Sequence, residues 1–369
     1  MCDLFIVAAE PSADLHGAKL IEELLRLRPN LKIAAVAGPR MRRMPIQVLS
    51  SMESLQVMGF LDVLVALPRL VKQFYSIRRT ILGFNPKAVI FIDYPGFNLR
   101  LEHSLRKKKY TGRLIHYICP TVWAWGKKRI PRMAETLDLL LTLFPFEKKC
   151  FSSTSLRVEY VGHPLSAQIP PFSKENCEPI LALFPGSRET EILRNFPLQL
   201  KAASKLLAID PQLKIAVSIA QNTLEPLLRT LSKTASLEFY SPEKTYELMR
   251  KARTAIATSG TVNLELALHG IPTIVNFAIR PFDLFLVQKI FRIHLPFYCI
   301  VNIILSKRVF PELFGPNLNE KNLDYWAGKL WFDESAREEV VSGCRELCQA
   351  LGNRDASQEA ASAVISLAF

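Results

Sequence analysis

The chain has 369 residues, which is enough for two domains that each bury a core of their own. Hydrophobic residues make up 49% and charged residues 22%, a composition that excludes a disordered polypeptide. Lys and Arg number 47 against 34 Asp and Glu, so the net charge of +13 indicates an anionic partner. The sequence has neither zinc-type cysteine spacing nor an RNA-recognition signature, so we expect no nucleic-acid partner.

Cysteine usage and hydropathy place the chain in a reducing compartment. The seven cysteines are scattered and odd in number, which favours cytosolic thiols over a disulfide framework. No apolar run reaches the ~18 residues that span a bilayer. The opening residues, "MCDLFIVAAE", lack a basic segment, so we predict a first strand there and no signal peptide.

Apolar runs with strand character recur along both halves, with helical segments such as 14–27 and 68–82 between them. In the first half they are "LFIVAA", "KIAAVAG", "AVIFI", "LIHYIC", "LLLTLF" and "VEYVG"; in the second, "ILALFPG", "KIAVSIA", "LEFY", "TAIATSG" and "PTIVNF". Strands buried on both faces that alternate with helices predict doubly wound parallel sheets. We therefore predict an α/β protein with two tandem Rossmann-like domains and an interdomain cleft.

The predicted boundaries follow from composition. The N-terminal domain is expected over 1–168 and the second domain over 169–318, with the proline-rich stretch 164–179 as the linker. A helical tail is expected over 319–369, and packing of this tail against the N-terminal domain is one arrangement open to it.

Asp93 stands where the buried run "AVIFI" ends, in "VIFIDYPGFN". An Asp before a Pro/Gly pair is common turn chemistry, and a turn is one interpretation. Ligands of doubly wound sheets bind beyond the carboxyl ends of the strands, and this position favours a functional carboxylate.

The second half contains two turns suited to an anion. In "LFPGSRETEI", Gly186 allows close approach of a ligand to the backbone, Ser187 can cap the following helix, and Arg188 offers a guanidinium to a diphosphate. The alternative for Arg188 is an ion pair with Glu189 or Glu191.

In "ATSGTVNLELALHGIPTIV", the residues Ser259, Gly260 and Thr261 lead into a helix, and Glu265 follows one turn later, where a carboxylate suits a ribose diol. The chain has neither a GxGxxG motif after its first strand nor a Walker A pattern, so nicotinamide and ATP chemistry lose support.

The motifs resemble those of the lipid-A-disaccharide synthases, a family of UDP-dependent glycosyltransferases with glycosyltransferase-B architecture. The likeness extends over almost the whole chain. It rests on "AAEPSADLHG", "AGPRM", "VMGF", "IDYPGFN", "HYICPTVWAWGKKRI", "LFPFEK", "VGHP", "FPGSR", "TSGTVNLE" and "FPEL". The resemblance implies transfer of 2,3-diacylglucosamine from its UDP derivative to 2,3-diacylglucosamine 1-phosphate, in the pathway to lipopolysaccharide. It also implies an acceptor-binding first domain and a UDP-sugar-binding second domain.

The resemblance also implies roles for single residues. Asp93 matches the family's general base, Arg188 the arginine that stabilises the diphosphate, and Glu265 the ribose ligand. No metal or cofactor is expected. The remaining substrate-binding or nucleotide-binding candidates are Glu10, Ser12, Asp14, His16, Asn98, Gly186, Ser187, Ser259, Gly260, Thr261 and Asn302.

Four positions depart from the family pattern. Ala13 replaces a glycine of the first loop, and Gly96 stands where the family usually has a second acid after the proline of the base motif. Val301 replaces a proline, and Gly315 replaces a glutamine.

The implied substrates carry acyl chains, so we expect peripheral attachment to an anionic membrane at the cytosolic face of the inner membrane. Two stretches, 57–84 and 279–310, mix apolar and basic residues at helical spacing, which is typical of an interfacial surface; the alternative is a core with a solvated rim. "PTVWAWGKKR", with Trp123 and Trp125, is expected to meet the acceptor's phosphate and acyl chains, with a base-stacking patch as the alternative.

Other functions remain open at this level. A UDP-sugar 2-epimerase on the same fold is one, and an inactive nucleotide- or lipid-binding relative is another. A homo-oligomer is also open.

Overall fold

The computed structural model of the chain describes residues 2–55, 60–124, 126–170, 172, 177–233, 237–280 and 295–369, with side chains left out for 60–66. These residues form two compact units. Unit 1 comprises Met1–Ala167 and Asn353–Phe369, and unit 2 comprises Gln168–Gly352.

Unit 1 contains a seven-stranded parallel sheet in the order β3-β2-β1-β4-β5-β6-β7. Alternate residues of each strand face opposite sides: Leu4 and Ile6 enter one core, and Phe5 and Val7 enter the other. Both faces are covered, so the strands read as continuous apolar runs. The strands are β1 Leu4–Ala8, β2 Ile33–Ala37, β3 Gln47–Ser51, β4 Ala88–Ile92, β5 Arg113–Tyr117, β6 Leu139–Thr142 and β7 Arg157–Tyr160.

The helices of unit 1 connect these strands and cover the sheet. They are α1 Pro11–Leu27, α2 Phe60–Phe84, α3 Pro95–Lys107, α4 Arg129–Thr136 and α5 Pro164–Gln168. The last helix of the chain returns to unit 1 and packs against α1, where Ala360, Ala361 and Val364 join the core.

Unit 2 contains a six-stranded parallel sheet in the order β10-β9-β8-β11-β12-β13. Its strands are β8 Ile180–Phe184, β9 Lys214–Ser218, β10 Glu238–Tyr240, β11 Thr254–Thr258, β12 Thr273–Phe277 and β13 Glu312–Phe314. Its helices are α6 Glu189–Ile209, α7 Glu225–Leu231, α8 Thr245–Lys251, α9 Val262–Leu268, α10 Ile300–Leu305, α11 Glu320–Phe332 and α12 Glu334–Leu351, and the final helix of the chain is α13 Ala356–Ala368.

The predicted fold class is confirmed: two parallel sheets alternate with helices, and the chain ends in helices. The sequence did not predict strands β3 and β13, because both lie at sheet edges and carry polar or few apolar residues. The helix α2 begins at Phe60 and includes Pro68, which the sequence pattern had put at its start. None of the described helices combines the length and apolarity that crossing a bilayer requires.

Each sheet has one point where the strand order reverses. It lies between β1 and β4 in unit 1, and between β8 and β11 in unit 2. Chain segments that leave such strands run to opposite faces, and the opening between them is where doubly wound folds bind ligands.

A buried amide network ties the strands of unit 2 to α6. Gln199 Nε2 donates to Asn276 Oδ1 at 2.9 Å, and Asn276 Nδ2 donates to Asn195 Oδ1 at 3.0 Å. All three residues are buried. Asn195 Oδ1 also accepts the backbone N–H of Ala278 at 2.8 Å, so the network fixes the end of β12.

We expect Asn276→Ala to lower the free energy of unfolding of unit 2 by about 2 to 4 kcal/mol, because buried partners lose their hydrogen bonds and a void is left. Urea unfolding measures the change. The matched control is Asn222→Ala, an exposed position of the same unit, which should stay within about 0.5 kcal/mol of the unsubstituted chain. Equal stabilities for the two variants would contradict a supporting role for the network.

Candidate functional site

Asp93 directly follows β4, at the point where the order of the first sheet reverses. Its φ is 49° and that of Tyr94 is 48°, so two consecutive non-glycine residues adopt the left-handed conformation. The backbone N–H of Asp93 donates to the Tyr117 carbonyl at 2.9 Å, and Asn98 Nδ2 donates to the Asp93 carbonyl at 2.7 Å. These contacts hold a strained turn that presents the Asp93 side chain at the carboxyl end of the sheet.

Glu10 stands beside Asp93 and forms a carboxyl pair with it. Glu10 precedes α1 just beyond β1, and β1 and β4 are neighbours in which Ala8 pairs with Ile92. Burial raises the pKa of Glu10, and the charge of Asp93 and a hydrogen bond between the two side chains raise it further. Ser12 Oγ donates to Glu10 Oε1 at 3.3 Å. The Glu10 carboxyl therefore keeps its proton to higher pH than an ordinary glutamate. In this protonated form it can donate a hydrogen bond to Asp93.

His16 stands close to this pair, and His163 stands close to His16. Burial is the main cause that lowers the pKa of His16, with Lys19 contributing, while the Asp93 charge acts in the opposite direction. The pKa of His163 falls to about 4, mainly through burial, and its ring stacks on Phe144 at 5.1 Å. Both imidazoles are thus kept neutral at pH 7.

Asp14 and Asn98 support the turns around the pair. Asp14 is buried, and its two carboxylate oxygens accept the backbone N–H groups of Arg40 at 2.8 Å and Met41 at 3.0 Å. Asn98 is also buried and braces the Asp93 carbonyl. Both were predicted to contact substrate, and the structure shows their side chains in hydrogen bonds to the backbone.

A pocket of about 370 Å³ lies in unit 2 at the reversal of its strand order. It is formed where β8, β9 and β11 end, and it places the two predicted anion turns on one site. Its lining includes Gly186, Ser187, Ser259, Gly260, Thr261 and Glu265 from the sequence prediction.

Gly186 allows the turn after β8. Its φ is +120°, and a Cβ there would meet Glu191 Cβ at 2.8 Å, so both conformation and space require glycine. Glu191 Oε2 accepts the backbone N–H of Ser187 at 3.1 Å, and its Oε1 accepts from Arg188 Nη1 at 3.1 Å. The Arg188 side chain is 78% exposed and does not line the pocket, so the ion pair with Glu191 is what the structure shows for it.

Glu265 and Tyr246 form the other side of the pocket. Burial raises the pKa of Glu265. Tyr246 lies against His269, with ring centroids 5.0 Å apart, and exposes 36% of its surface. The pocket offers an aromatic face, a carboxyl group and two turns made of small residues. Together these groups suit a nucleoside diphosphate.

Asn302 lies elsewhere in unit 2. It is buried, its Oδ1 accepts the backbone N–H groups of Val309 and Phe310, and its Nδ2 donates to the Phe310 carbonyl. It therefore closes the turn after α10 and is not part of the pocket lining. Trp125 and residues 281–294 of the second predicted membrane stretch lie outside the described residues.

Sequence reasoning missed several lining residues, namely Ser218, Thr245, Tyr246 and Thr258. Ser218 and Thr258 each end a strand beside the reversal point, which strand prediction alone could have suggested. Tyr246 belongs to a short helix after a weak three-residue strand, and no pattern in the sequence distinguished it.

Solved structures with the same fold include UDP-sugar enzymes. UDP-GlcNAc 2-epimerase from Neisseria meningitidis, bound to UDP-GlcNAc, aligns with a TM-score of 0.57 at 11% identity over 99% of this chain and 100% of that one. The glycotransferase of kitacinnamycin aligns with a TM-score of 0.59 at 11% identity over 99% of both chains. At such identities the likeness shows the fold alone.

The sequence comparisons are more specific. Lipid-A-disaccharide synthase from Chlamydia pneumoniae is 38% identical over 369 residues, covering 94% of this chain and 59% of the relative, so the chain spans about three fifths of that chlamydial protein. The enzyme of the same name from Geobacter sulfurreducens is 30% identical over 376 residues, covering 99% of this chain and 97% of the relative. The family model described as lipid-A-disaccharide synthetase matches residues 4–366. Together with the carboxyl pair and the pocket at the two reversal points, these matches show that the chain belongs to the lipid-A-disaccharide synthase family.

Proposed function

We propose that the chain is a lipid-A-disaccharide synthase that transfers 2,3-diacylglucosamine from its UDP derivative to 2,3-diacylglucosamine 1-phosphate and releases UDP. Family membership supports the reaction, and the observation that carries the chemistry is the Asp93 carboxylate at the end of β4, at the reversal of strand order and beside Glu10. The proposal assigns the acceptor to unit 1 and the donor to unit 2.

Asp93 acts as the general base. The acceptor hydroxyl oxygen forms a bond to the anomeric carbon of the donor, the bond from that carbon to the diphosphate breaks, and UDP leaves with the electron pair. The hydroxyl proton passes to Asp93, a transfer typically worth 10²–10⁴ in rate. Glu10 donates its hydrogen bond to Asp93 and so holds the accepting carboxylate in one orientation.

The pocket of unit 2 binds UDP. Tyr246 offers a face for the uracil, Glu265 accepts from the ribose hydroxyls, and the turns at Gly186 and Ser259 receive the diphosphate. Arg188 serves the leaving diphosphate from the rim of this site by exchanging its pair with Glu191 for a charge-assisted contact.

Unit 1 meets an anionic membrane through α2, at the cytosolic face. Leu67, Val71 and Tyr75 follow at intervals of four residues and are 50%, 45% and 54% exposed. We call these three residues the α2 stripe. Lys72 and Arg79 are exposed on the same helix, so apolar and basic groups stand together as at an interface. The second predicted stretch, 279–310, has no comparable support, since residues 281–294 lie outside the described residues.

We expect Asp93→Asn to retain the fold and UDP binding and to lower kcat at least 10²-fold, because the amide cannot take the proton. Asparagine tolerates the left-handed backbone at this position, whereas alanine would add strain. Initial rates with saturating donor and acceptor test this. The control Glu22→Gln removes a carboxylate from the exposed face of α1 and should leave the rate unchanged. More than a tenth of the activity in Asp93→Asn would refute the role of base.

We expect UDP affinity to fall on acidification, and the fall to begin at higher pH than for an ordinary glutamate. Burial raises the pKa of Glu265, so the carboxyl gains its proton early and then accepts less from the ribose hydroxyls. Calorimetric titration with UDP between pH 5 and 8 measures this. Glu265→Gln should weaken binding and lose the part of the pH dependence that belongs to Glu265. Superimposable pH profiles for the two proteins would contradict the assignment.

We expect vesicles that contain phosphatidylglycerol to sediment the protein at low salt, and neutral vesicles to do so much less. Leu67→Ser with Val71→Ser should weaken binding, since exposed apolar area is lost. The matched control is Leu193→Ser with Ile209→Ser, at exposed apolar positions of α6.

Lys72→Glu should also weaken binding more than Lys233→Glu. Lys205 is unsuitable as a control, because it pairs with Asp324. Equal losses in the stripe and control variants would refute the membrane surface.

One alternative function has a specific basis: the 2-epimerases share the fold. Mass spectrometry of the disaccharide, together with NMR of the UDP-sugar, decides between the two activities. A disaccharide 1-phosphate formed only when acceptor is present supports the synthase, and an isomerised UDP-sugar formed without acceptor contradicts it.

A further inference from the structure

Unit 1 contains a second cavity, of about 160 Å³, between α3 and α4. It opens beside the first turn of α3, close along the chain to Asp93. Three arginines line it, one from α3 and two from α4: Arg100, Arg129 and Arg132. Neither the carboxyl pair nor the α2 stripe includes any of them.

Among the described residues, the three guanidinium groups have no anionic partner of their own. Within the part of the chain that the structure describes, no side chain or carbonyl accepts a hydrogen bond from Arg100, Arg129 or Arg132. By contrast, the nearby Arg106 and Arg113 both pair with Asp138. Unpaired like charges around one cavity repel one another, and a bound anion would remove that cost.

The start of α3 adds to the preference of the cavity for an anion. Pro95 and Gly96 line it as the first residues of α3, a helix of thirteen residues whose N-terminus carries a partial positive charge. A Cβ at Gly96 would meet nothing within 4 Å, so the space above this backbone is open.

The one carboxyl group in the lining is Glu102, and it is already engaged. It is buried, and its Oε1 lies 2.5 Å from His116 Nδ1. Even with Glu102 fully charged, the three arginines leave the lining with a positive charge.

We propose that this cavity binds the phosphate group of the acceptor sugar. The assignment rests on the proposed function. The acceptor carries its phosphate and its attacking hydroxyl on one sugar, so a phosphate site must lie within reach of the base. Gly96 follows Asp93 by three residues, which limits the separation of their Cα atoms to about 11 Å. A guanidinium fork matches a phosphate better than any other side chain does.

The first test compares two acceptors and two proteins. The acceptor 2,3-diacylglucosamine 1-phosphate and its dephosphorylated analogue are assayed with the unsubstituted chain and with Arg100→Gln/Arg132→Gln. We expect the double substitution to raise KM for the phosphorylated acceptor about tenfold to a hundredfold, because charge-assisted hydrogen bonds are lost. KM for the analogue and for the UDP donor should not change. Lys107→Gln, an exposed position of α3 outside the cavity, is the matched control. Equal losses with both acceptors would overturn the assignment.

The second test does not require turnover. Saturation-transfer NMR measures binding of glucosamine 1-phosphate, with glucosamine, which lacks the phosphate, as the comparison. Arg100→Glu/Arg132→Glu reverses the charge of two lining side chains and should abolish phosphate-dependent binding, whereas Arg100→Lys/Arg132→Lys, which keeps the charge, should retain part of it. Both positions are exposed, so the variants retain the fold. Binding unaffected by Arg100→Glu/Arg132→Glu would overturn the proposal.

The outcomes separate this proposal from the function on which it rests. Phosphate-dependent binding that the substitutions abolish, in a chain that forms no disaccharide, would refute the synthase and support an anion site here. Disaccharide synthesis with unchanged acceptor KM in the arginine variant would refute the site alone. A phospholipid headgroup offers the same phosphate chemistry. Loss of binding to phosphatidylglycerol vesicles with unchanged glucosamine 1-phosphate binding would assign the cavity to the headgroup and overturn the acceptor.

Discussion

The reversal of strand order in each parallel sheet is the constraint on which the rest of the structure depends. In unit 1, the segments that follow β1 and β4 leave toward opposite faces of the sheet, and in unit 2 the same holds for β8 and β11. At each of these points the ends of two neighbouring strands stand side by side while the following segments diverge, which leaves an opening between them. Glu10 and Asp93 are 83 positions apart in the sequence and meet for this reason. The turns at Gly186 and Ser259 share one pocket for the same reason.

Backbone strain at the end of β4 is a local consequence of this geometry. Asp93 and Tyr94 both adopt left-handed conformations, each of which costs on the order of 1–3 kcal/mol in a non-glycine residue. The cost is tolerated because Asn98 and the Tyr117 carbonyl fix the turn through hydrogen bonds. These contacts fix the backbone that carries the Asp93 carboxylate, and a fixed position is what the proposed role of base requires.

Burial shifts the pKa of several titratable groups near the two candidate sites. It raises the pKa of Glu10 and of Glu265 and lowers that of His16 and His163, so these groups tend toward their neutral forms and act through hydrogen bonds. The arginines between α3 and α4 line a surface cavity, where an anion can approach. The excess of basic residues is therefore not spread evenly over the protein. Part of it is concentrated at one cavity and part along α2, beside exposed apolar side chains.

The sequence by itself determined the two parallel sheets, the carboxylate at the end of β4 and the small-residue turns that follow β8 and β11. These follow from local signals: continuous apolar runs for doubly covered strands, and Gly, Ser, Thr or Asp where a run stops. The resemblance of the motifs added the family. What a local signal could not give was the direction in which a polar side chain faces. Asp14, Asn98 and Asn302 carry the residue types of a binding site, yet their hydrogen bonds go to neighbouring backbone, because the turns they brace leave buried N–H and C=O groups that need partners. Arg188 pairs with Glu191, whereas Tyr246 enters the pocket from a short helix without a distinctive pattern. The cavity between α3 and α4 is formed by two helices that a strand separates in the sequence. Their packing brings the arginines of both helices together. Such pairings join residues far apart in the chain, so only the tertiary structure decided them.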